Sequence, residues 1–383
     1  MIALNNLHLI NSSAAINVGV KGKLIASVNS DGLNADELTL NFSEAVALPG
    51  LINSHDHLDF NLFPQFGDRF YDNYTQWGAH IHQQYQDQIQ QVLKVPVELR
   101  AAWGVYKNLL SGVTTVVDHS DGLKFKSDLI NVVQAYHCLH SVQFEKHWKR
   151  KLNNPLRLKY PYVIHTGEGV DALAHQEIDE LLKGNLLKKK LIGIHGVAMQ
   201  PQQAQKFKAL VWCPQSNYFL LNSTADIKNL KQHTPVLFGT DSTLTSDWNI
   251  WEHLRLANKT NHLSAAELWA SVTTSPAKIW KLNTGELAAK KDADIVIAHA
   301  RNQDYDSLYN LNPEDLLLVM HRGKINFFDE GLYKQLADQN FPLQHFDRVK
   351  IGNSYKYIAG GINRLMMQIK SYYPEATFPV TPT

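Results

Sequence analysis

The chain has 383 residues, 44% of them hydrophobic, eight tryptophans and a formal net charge of +1. This suits one large folded domain with a small partner domain and excludes a disordered chain. With no acidic or basic block and no apolar run long enough to span a bilayer, neither nucleic acid nor a membrane is expected as a partner. Two cysteines, Cys138 and Cys213, cannot build a disulfide framework and point to a reducing compartment. The stretch from Met1 lacks the basic start and apolar core of a secretion signal, so the expected location is cytoplasmic.

Residues 1–47 read as short strands and turns, with partial period-two patterns at 2–4, 16–20 and 24–28 and Asn-Ser and Asp-Gly pairs between them. They suggest a small β-domain. An apolar run, 46–52, then leads straight into His55-Asp56-His57. Alternate side chains of a strand share a face, so His55 and His57 project together and Asp56 points away. Two imidazoles at a strand end are half of a metal site, although an isolated H-x-H is more often a polar surface pair.

Residues 59–97 hold aromatics and turn formers, then a glutamine-rich helical stretch from His80. A segment of this length after a strand's C-terminal end is where a barrel enzyme places its substrate cover. His80 and His82 would diverge on a helix and are not taken as ligands. Aromatics of 60–77, if exposed, could serve a contact between identical subunits.

From Val97 helices and apolar strands alternate. Strands are expected at 113–119, 136–142, 162–168, 191–196, 210–217 and 235–242, and helices at 97–111, 127–134, 144–152, 171–187, 201–209 and 225–232. Short apolar strands alternating with amphipathic helices imply a parallel sheet, and their repetition a (β/α)8 TIM-like barrel. With the His55 strand the count is seven, and the shortfall falls in 119–160, where Leu123-Lys124-Phe125 could be a degenerate strand. Beyond Asp241, Ser264-Ala265-Ala266-Glu267 reads as a capping box and Ser275-Pro276 as a second helix start. Strands at 292–298, 316–320 and 324–328 would complete the N-terminal β-domain, with the barrel inserted between its halves. A helix is expected at 361–371, and the rest of 330–383 carries little pattern. The α/β organisation expected is a β-sandwich built from 1–47 and 285–330, a barrel over 48–284 and an extension over 331–383.

His55 and His57, His165 with Glu168, His195, and Asp241 all fall at C-terminal ends of expected parallel strands, the edge where barrel active sites are built. Three neutral imidazoles and a carboxylate give a divalent ion a mixed nitrogen–oxygen site. Zinc suits it, and ferrous iron also fits. Such an ion brings a water towards deprotonation at neutral pH, and Glu168 is placed to carry a proton. Cys213 reads as packing, Asn217 as a brace for the site, and His119 either as a pocket residue or as a polar strand end. No nucleophile elbow or phosphate-binding loop is present.

The ordered set resembles the amidohydrolase superfamily, in its mononuclear deaminase and chlorohydrolase branch. The pieces are Pro49 to His57, Gly112-Val113-Thr114-Thr115, His165-Thr166-Gly167-Glu168-Gly169, His195-Gly196, Cys213-Pro214-Gln215-Ser216-Asn217, Gly239-Thr240-Asp241-Ser242, Ser275-Pro276-Ala277-Lys278 and Lys291-Asp292-Ala293-Asp294. The resemblance implies one divalent ion held by His55, His57, His165 and Asp241. It implies Glu168 as proton shuttle, with His195 and Asp241 assisting catalysis. No lysine of the 119–160 interval suits the bridging position of binuclear members. The activity implied is hydrolytic deamination of an aminated, nucleobase-like heterocycle. The alternatives are cleavage of a cyclic amide C–N or a carbon–halogen bond, or a metal-binding scaffold without catalysis. The small-molecule substrate itself, and the residues that bind it, cannot be read.

Overall fold

The computed structural model describes residues 1–30, 35–120, 125–300 and 302–383. The chain starts with β1 (Ile2–His8), β2 (Ala15–Lys21), β3 (Leu24–Asn29) and β4 (Leu38–Pro49), and only Gly50 separates β4 from β5 (Leu51–Asp56). Two cover helices follow, α1 (Tyr74–Gln84) and α2 (Gln86–Leu93), then α3 (Val97–Leu110). The central strands are β6 (Val113–Asp118), β7 (Asn131–Val132), β8 (His137–Leu139), β9 (Tyr162–Thr166), β10 (Leu191–His195), β11 (Ala209–Trp212) and β12 (Val236–Phe238). Between them lie α4 (Trp148–Leu152) and α5 (Ala172–Gly184). The chain closes with β13 (Ile295–His299), β14 (Leu316–His321), β15 (Lys324–Asp329), β16 (Phe346–Ile351), β17 (Ser354–Ala359) and β18 (Val380–Pro382).

Strands β5 to β12 are parallel and form two sheets, β5-β6-β7 and β12-β11-β10-β9-β8. Every residue of β5, β6, β9, β10, β11 and β12 is buried, as expected of a parallel sheet covered on both faces, so apolar residues dominate β9 to β12, with the polar residues of β5 and β6 also buried. The two sheets meet where Thr240 and Asp241, just past β12, donate their backbone N–H groups to the His55 carbonyl at 3.1 Å. Gly239 permits this approach, because a Cβ there would lie 2.7 Å from the His55 Cβ.

Strands from both chain ends share a ten-stranded sheet, in which β13 pairs antiparallel with β4 (Ile295 opposite Pro49). Its apolar core includes Leu4, Leu40, Ile297, Leu318 and Phe328. β16 to β18 extend this sheet, strands that the weak pattern of 330–383 did not reveal. The helix Ile362–Tyr372 lies within two residues of its expected place.

The interval 119–160 differs from expectation. In place of a helix at 127–134 it holds β7, where Thr115 pairs with Asn131 and Val116 with Val132. This is the eighth parallel strand. Two residues are too few to show a period, so it is invisible to pattern reading. Leu123 and Lys124 of the other candidate strand, and the Asp31-Gly32 turn, lie outside the described residues, while Phe125 is in no strand. The basic helix shrinks to α4, and the helices expected at 201–209 and 225–232 to Pro201–Ala204 and Ile227–Leu230. The Ser264 capping box forms with both bonds, 2.8 and 3.3 Å. Ser275, by contrast, lies inside the helix Thr274–Trp280, whose cap position is Thr273 without a side-chain bond. Among the described residues no helix is long and apolar enough to cross a membrane.

Candidate metal centre and active site

The strand ends bring His55, His57, His165, His195, Glu168 and Asp241 into one buried cluster. The Nε2 atoms of His57 and His165 are 3.3 Å apart, and so are those of His165 and His55. Asp241 Oδ1 lies 3.6 Å from His55 Nε2 and 3.9 Å from His57 Nε2. Donors bound to one tetrahedral zinc at its usual bond lengths sit about 3.3 Å from each other. The four groups therefore fit a divalent ion, and their chemistry agrees. Burial lowers His55, against the opposing pull of Asp241, and lowers His165 well below the ordinary histidine range. Both rings are neutral and free to coordinate.

Neighbouring groups orient the donors. His165 Nδ1 is 2.9 Å from the His140 carbonyl, so it carries the proton and leaves Nε2 as a lone-pair donor. Asp241 accepts from Ser216 Oγ at 2.8 Å, Thr245 Oγ1 at 3.0 Å and the Ser242 amide at 2.8 Å. Burial alone would raise Asp241, but its contact with His55 and the neighbouring imidazoles outweigh it and hold the carboxylate well below its ordinary range.

His195 differs from the other rings. Thr224 Oγ1 donates to Asn217 Oδ1 at 3.4 Å, which turns the Asn217 amide nitrogen towards His195 Nδ1 at 2.9 Å. That ring then carries its proton on Nε2, 3.4 Å from Glu168 Oε2, and presents a donor instead of a lone pair. Burial pushes His195 down to about 3, so it is neutral as well. Glu168 is raised well above the ordinary carboxylate range by burial, then by the charges of Asp241 and Glu177. A carboxyl whose affinity for its proton is raised, beside an imidazole, is suited to proton transfer.

Two of these positions have left-handed backbone, His195 at φ 68° and Asp241 at φ 58°. For non-glycine residues this costs about 1–3 kcal/mol each and survives only where the surroundings impose it. Here the strand ends and loop hydrogen bonds impose it, and the side chains are turned into the cluster.

A cavity of about 600 Å³ opens over the cluster, walled by His57, His165, Glu168, His195 and Asp241 on one side. Its other side is the segment expected as a cover, with Phe60, Phe63, Trp77, Ile81 and Leu93 on the wall. The cover is pinned to the catalytic loop. Tyr74 N donates to the Glu168 carbonyl (3.1 Å) and Val170 N to that of Asp72 (2.8 Å). Gly169 allows this, because a Cβ there would lie 2.7 Å from the Asn73 Cβ. Of the aromatics in 60–77 only Phe70, 62% exposed, faces solvent, which narrows any subunit contact to that residue. The others serve the interior. His80 pairs with Asp68 at 3.2 Å, and His82 lines the cavity. His119 packs edge-on to His165, ring centres 4.4 Å apart, and is not on the cavity wall.

Tyr74 also donates to Glu177 Oε2 at 3.1 Å from α1 to α5. Burial pushes Glu177 up to about 7 from an ordinary 4.5. Because the folded state holds this proton more tightly than the unfolded state, its stabilising effect is complete below pH 4.5 and is lost as pH rises through 7. Glu177→Gln should match the parent protein in urea unfolding at pH 4 and exceed it by about 3 kcal/mol at pH 8. Equal stabilities at pH 8 would refute the buried proton.

Sequence reasoning missed what lies beneath the cluster. Lys107, on α3, is fully buried and contacts Asp56 Oδ2 at 3.0 Å and Thr240 Oγ1 at 2.9 Å. Asp56 also accepts from Asn108 (2.7 Å), Asn61 (2.8 Å) and Asn53 (3.3 Å). Asp56 points away from the two histidines, as strand alternation requires, and ties their strand to the segment that carries Asp241. The available sign was a lysine and an asparagine inside an otherwise apolar helix, Ala101 to Leu110.

The amidohydrolase family profile matches residues 162–325. A curated relative, the 5-methylthioadenosine/S-adenosylhomocysteine deaminase of Pyrococcus furiosus, is 28% identical over 228 residues, covering 52% of each chain. The chain thus spans about half the length of the curated relative it matches. Among solved structures, zinc-complexed atrazine chlorohydrolase from Arthrobacter aurescens superposes with a TM-score of 0.66 at 17% identity, covering 88% of this chain and 99% of its own. An adenosine deaminase from Xanthomonas campestris with bound zinc gives 0.64 at 15% identity, covering 98% of both chains. At such identities these likenesses speak for the fold alone.

Proposed function

We propose that this chain, which belongs to the amidohydrolase superfamily in its deaminase and chlorohydrolase branch, is a hydrolase that releases ammonia from an aminated heterocycle. The observation that carries this reading is Glu168, buried and facing the cavity beside three convergent imidazoles and Asp241. The names of the relatives, which include a methylthioadenosine deaminase and an adenosine deaminase, support the same class. His55, His57, His165 and Asp241 are the residues that would hold the metal, a single ion, zinc in preference to ferrous iron. When bound, it would supply the Lewis acidity that brings a water towards deprotonation at neutral pH.

Asp241 takes one proton from the attacking water as its oxygen bonds to the amine-bearing ring carbon. Glu168 gives its proton to the adjacent ring nitrogen. His195 Nε2–H donates to the added oxygen and steadies the charge that grows there. Glu168 then takes the remaining hydroxyl proton and passes it to the amine, which leaves as ammonia. The proton on Asp241 returns to Glu168, so water and amine become ring carbonyl and ammonia.

On the same reading, the eight parallel strands are the wall of a (β/α)8 barrel over 48–284. The chain-end strands form a β-sandwich from 1–47 and 285–330, with 331–383 as an extension, and the protein works in the cytoplasm. Zinc-loaded protein should release ammonia from at least one member of a panel of aminated purines, pyrimidines, pterins and triazines. Chelation should abolish the release, and zinc should restore it. Silence across the panel with zinc stoichiometrically bound would sink the deaminase reading in favour of a cyclic amide or carbon–halogen bond at the same site.

A further inference from the structure

The chemistry described so far uses only the strand-end side of the cavity. At about 600 Å³ the whole space falls in the range of pockets that bury a drug-sized ligand, more than a bare ring requires. The remaining wall comes from the cover and the loops facing it. Phe63, Ile81 and Ile89 are buried there, Trp77 is half-buried, and Leu93 and Phe144 stand at the rim, 44% and 51% exposed.

Charge and hydrogen bonding both narrow what this wall can accept. Among the described residues no lysine or arginine lines the cavity, and its only carboxylates are Glu168 and Asp241. A phosphate or carboxylate on the substrate's appendage would lose water and find no lysine or arginine along this wall to replace it. Three hydroxyls on the wall are already engaged, and the other polar residues on it, His82, His140 and Ser242, lie outside the apolar sleeve. Tyr74 donates to Glu177 at 3.1 Å, Thr75 to Asn73 at 2.6 Å and Thr245 to Asp241 at 3.0 Å. Laid along Phe63, Trp77, Ile81, Ile89, Leu93 and Phe144, a polyhydroxylated appendage would exchange water for apolar carbon.

Resting on the deaminase reading above, we propose that the substrate's ring carries an uncharged, apolar appendage, which lies in the sleeve formed by Phe63, Trp77, Ile81, Ile89, Leu93 and Phe144. Affinity then grows with buried apolar surface, by about fourfold for each methylene added.

The test uses one aminated ring, taken from whichever class binds, in three forms: an n-alkyl series, hydroxylated chains of equal length, and chains ending in phosphate. Binding is measured by calorimetry on zinc-loaded Glu168→Gln protein, and ammonia release on the parent enzyme. The expected result is a Kd that falls about fourfold per methylene, hydroxylated chains at least tenfold weaker, and no binding of the phosphate form. Leu93→Arg, at the exposed rim where folding tolerates a charge, should flatten the alkyl dependence and bring the phosphate form into measurable range. A Kd indifferent to alkyl length, or phosphate or hydroxylated forms bound as tightly as alkyl ones, would overturn the proposal while ammonia release leaves the deaminase reading standing. Tight, length-dependent alkyl binding without ammonia release would support the sleeve and overturn deamination. If the bare ring binds but none of its appended forms does, the sleeve is overturned.

Discussion

Glu168→Gln is expected to keep its metal and lose turnover by about two to four orders of magnitude. The amide has the shape of the acid, so packing and the contact to His195 Nε2, 3.4 Å away in the parent, survive. What it lacks is a transferable proton. On the proposed assignment, His55, His57, His165 and Asp241 would hold the ion and Glu168 would not be a ligand. Ammonia release and metal analysis on the same preparation check both halves. An unchanged rate would remove Glu168 from the chemistry, and loss of the metal would recast it as a ligand or a support for one.

Lys107→Met should be the most destabilising single change near the site, by about 3–5 kcal/mol in urea unfolding. The lysine and Asp56 are both buried, and removing the ammonium leaves a carboxylate in the core without its counter-charge. Coupling to the metal should follow, since the pair links the strand of His55 and His57 to Thr240 and the Asp241 carbonyl. Zinc affinity is expected to fall by about 10–100-fold, the usual cost of losing support behind a ligand. In Lys107→Met/Asp56→Asn the charge leaves with its partner, and most of the stability should return. A double variant no better than the single one would mean that packing, and not the ion pair, is what Lys107 provides.

The clustered side chains were legible because each sits at the end of an apolar strand long enough to be recognised, and because the chemistry demands those residue types. His165 lies near the end of the fully buried β9 and Glu168 two residues past it, and Asp241 follows β12 within three residues. The eighth strand was not legible, since Asn131–Val132 is shorter than the period that would reveal it. Lys107 escaped for another reason. A helix pattern records that a polar residue interrupts an apolar face, but its partner is Asp56, 51 positions earlier, and only tertiary packing joins them. The apolar sleeve was half visible: the aromatics of 60–77 were evident, but whether they faced solvent or cavity depends on how α1 docks on the loop after β9.

The continuity of β4 into β5 has a consequence for the order in which the molecule can assemble. β4 is held on one side by β1 and on the other by β13, which begins at Ile295. A nascent chain that has left the ribosome only as far as Asp241 carries all four side chains proposed to hold the metal, yet the strand behind His55 and His57 still lacks one neighbour. Pairing elements this far apart in sequence is slow, because the loop must close before the contact stabilises anything. The frame behind β5 is therefore expected to close late, when β13 pairs with β4. A chain broken off shortly before Ile295 is therefore expected to carry those side chains without the strand that completes the frame behind them.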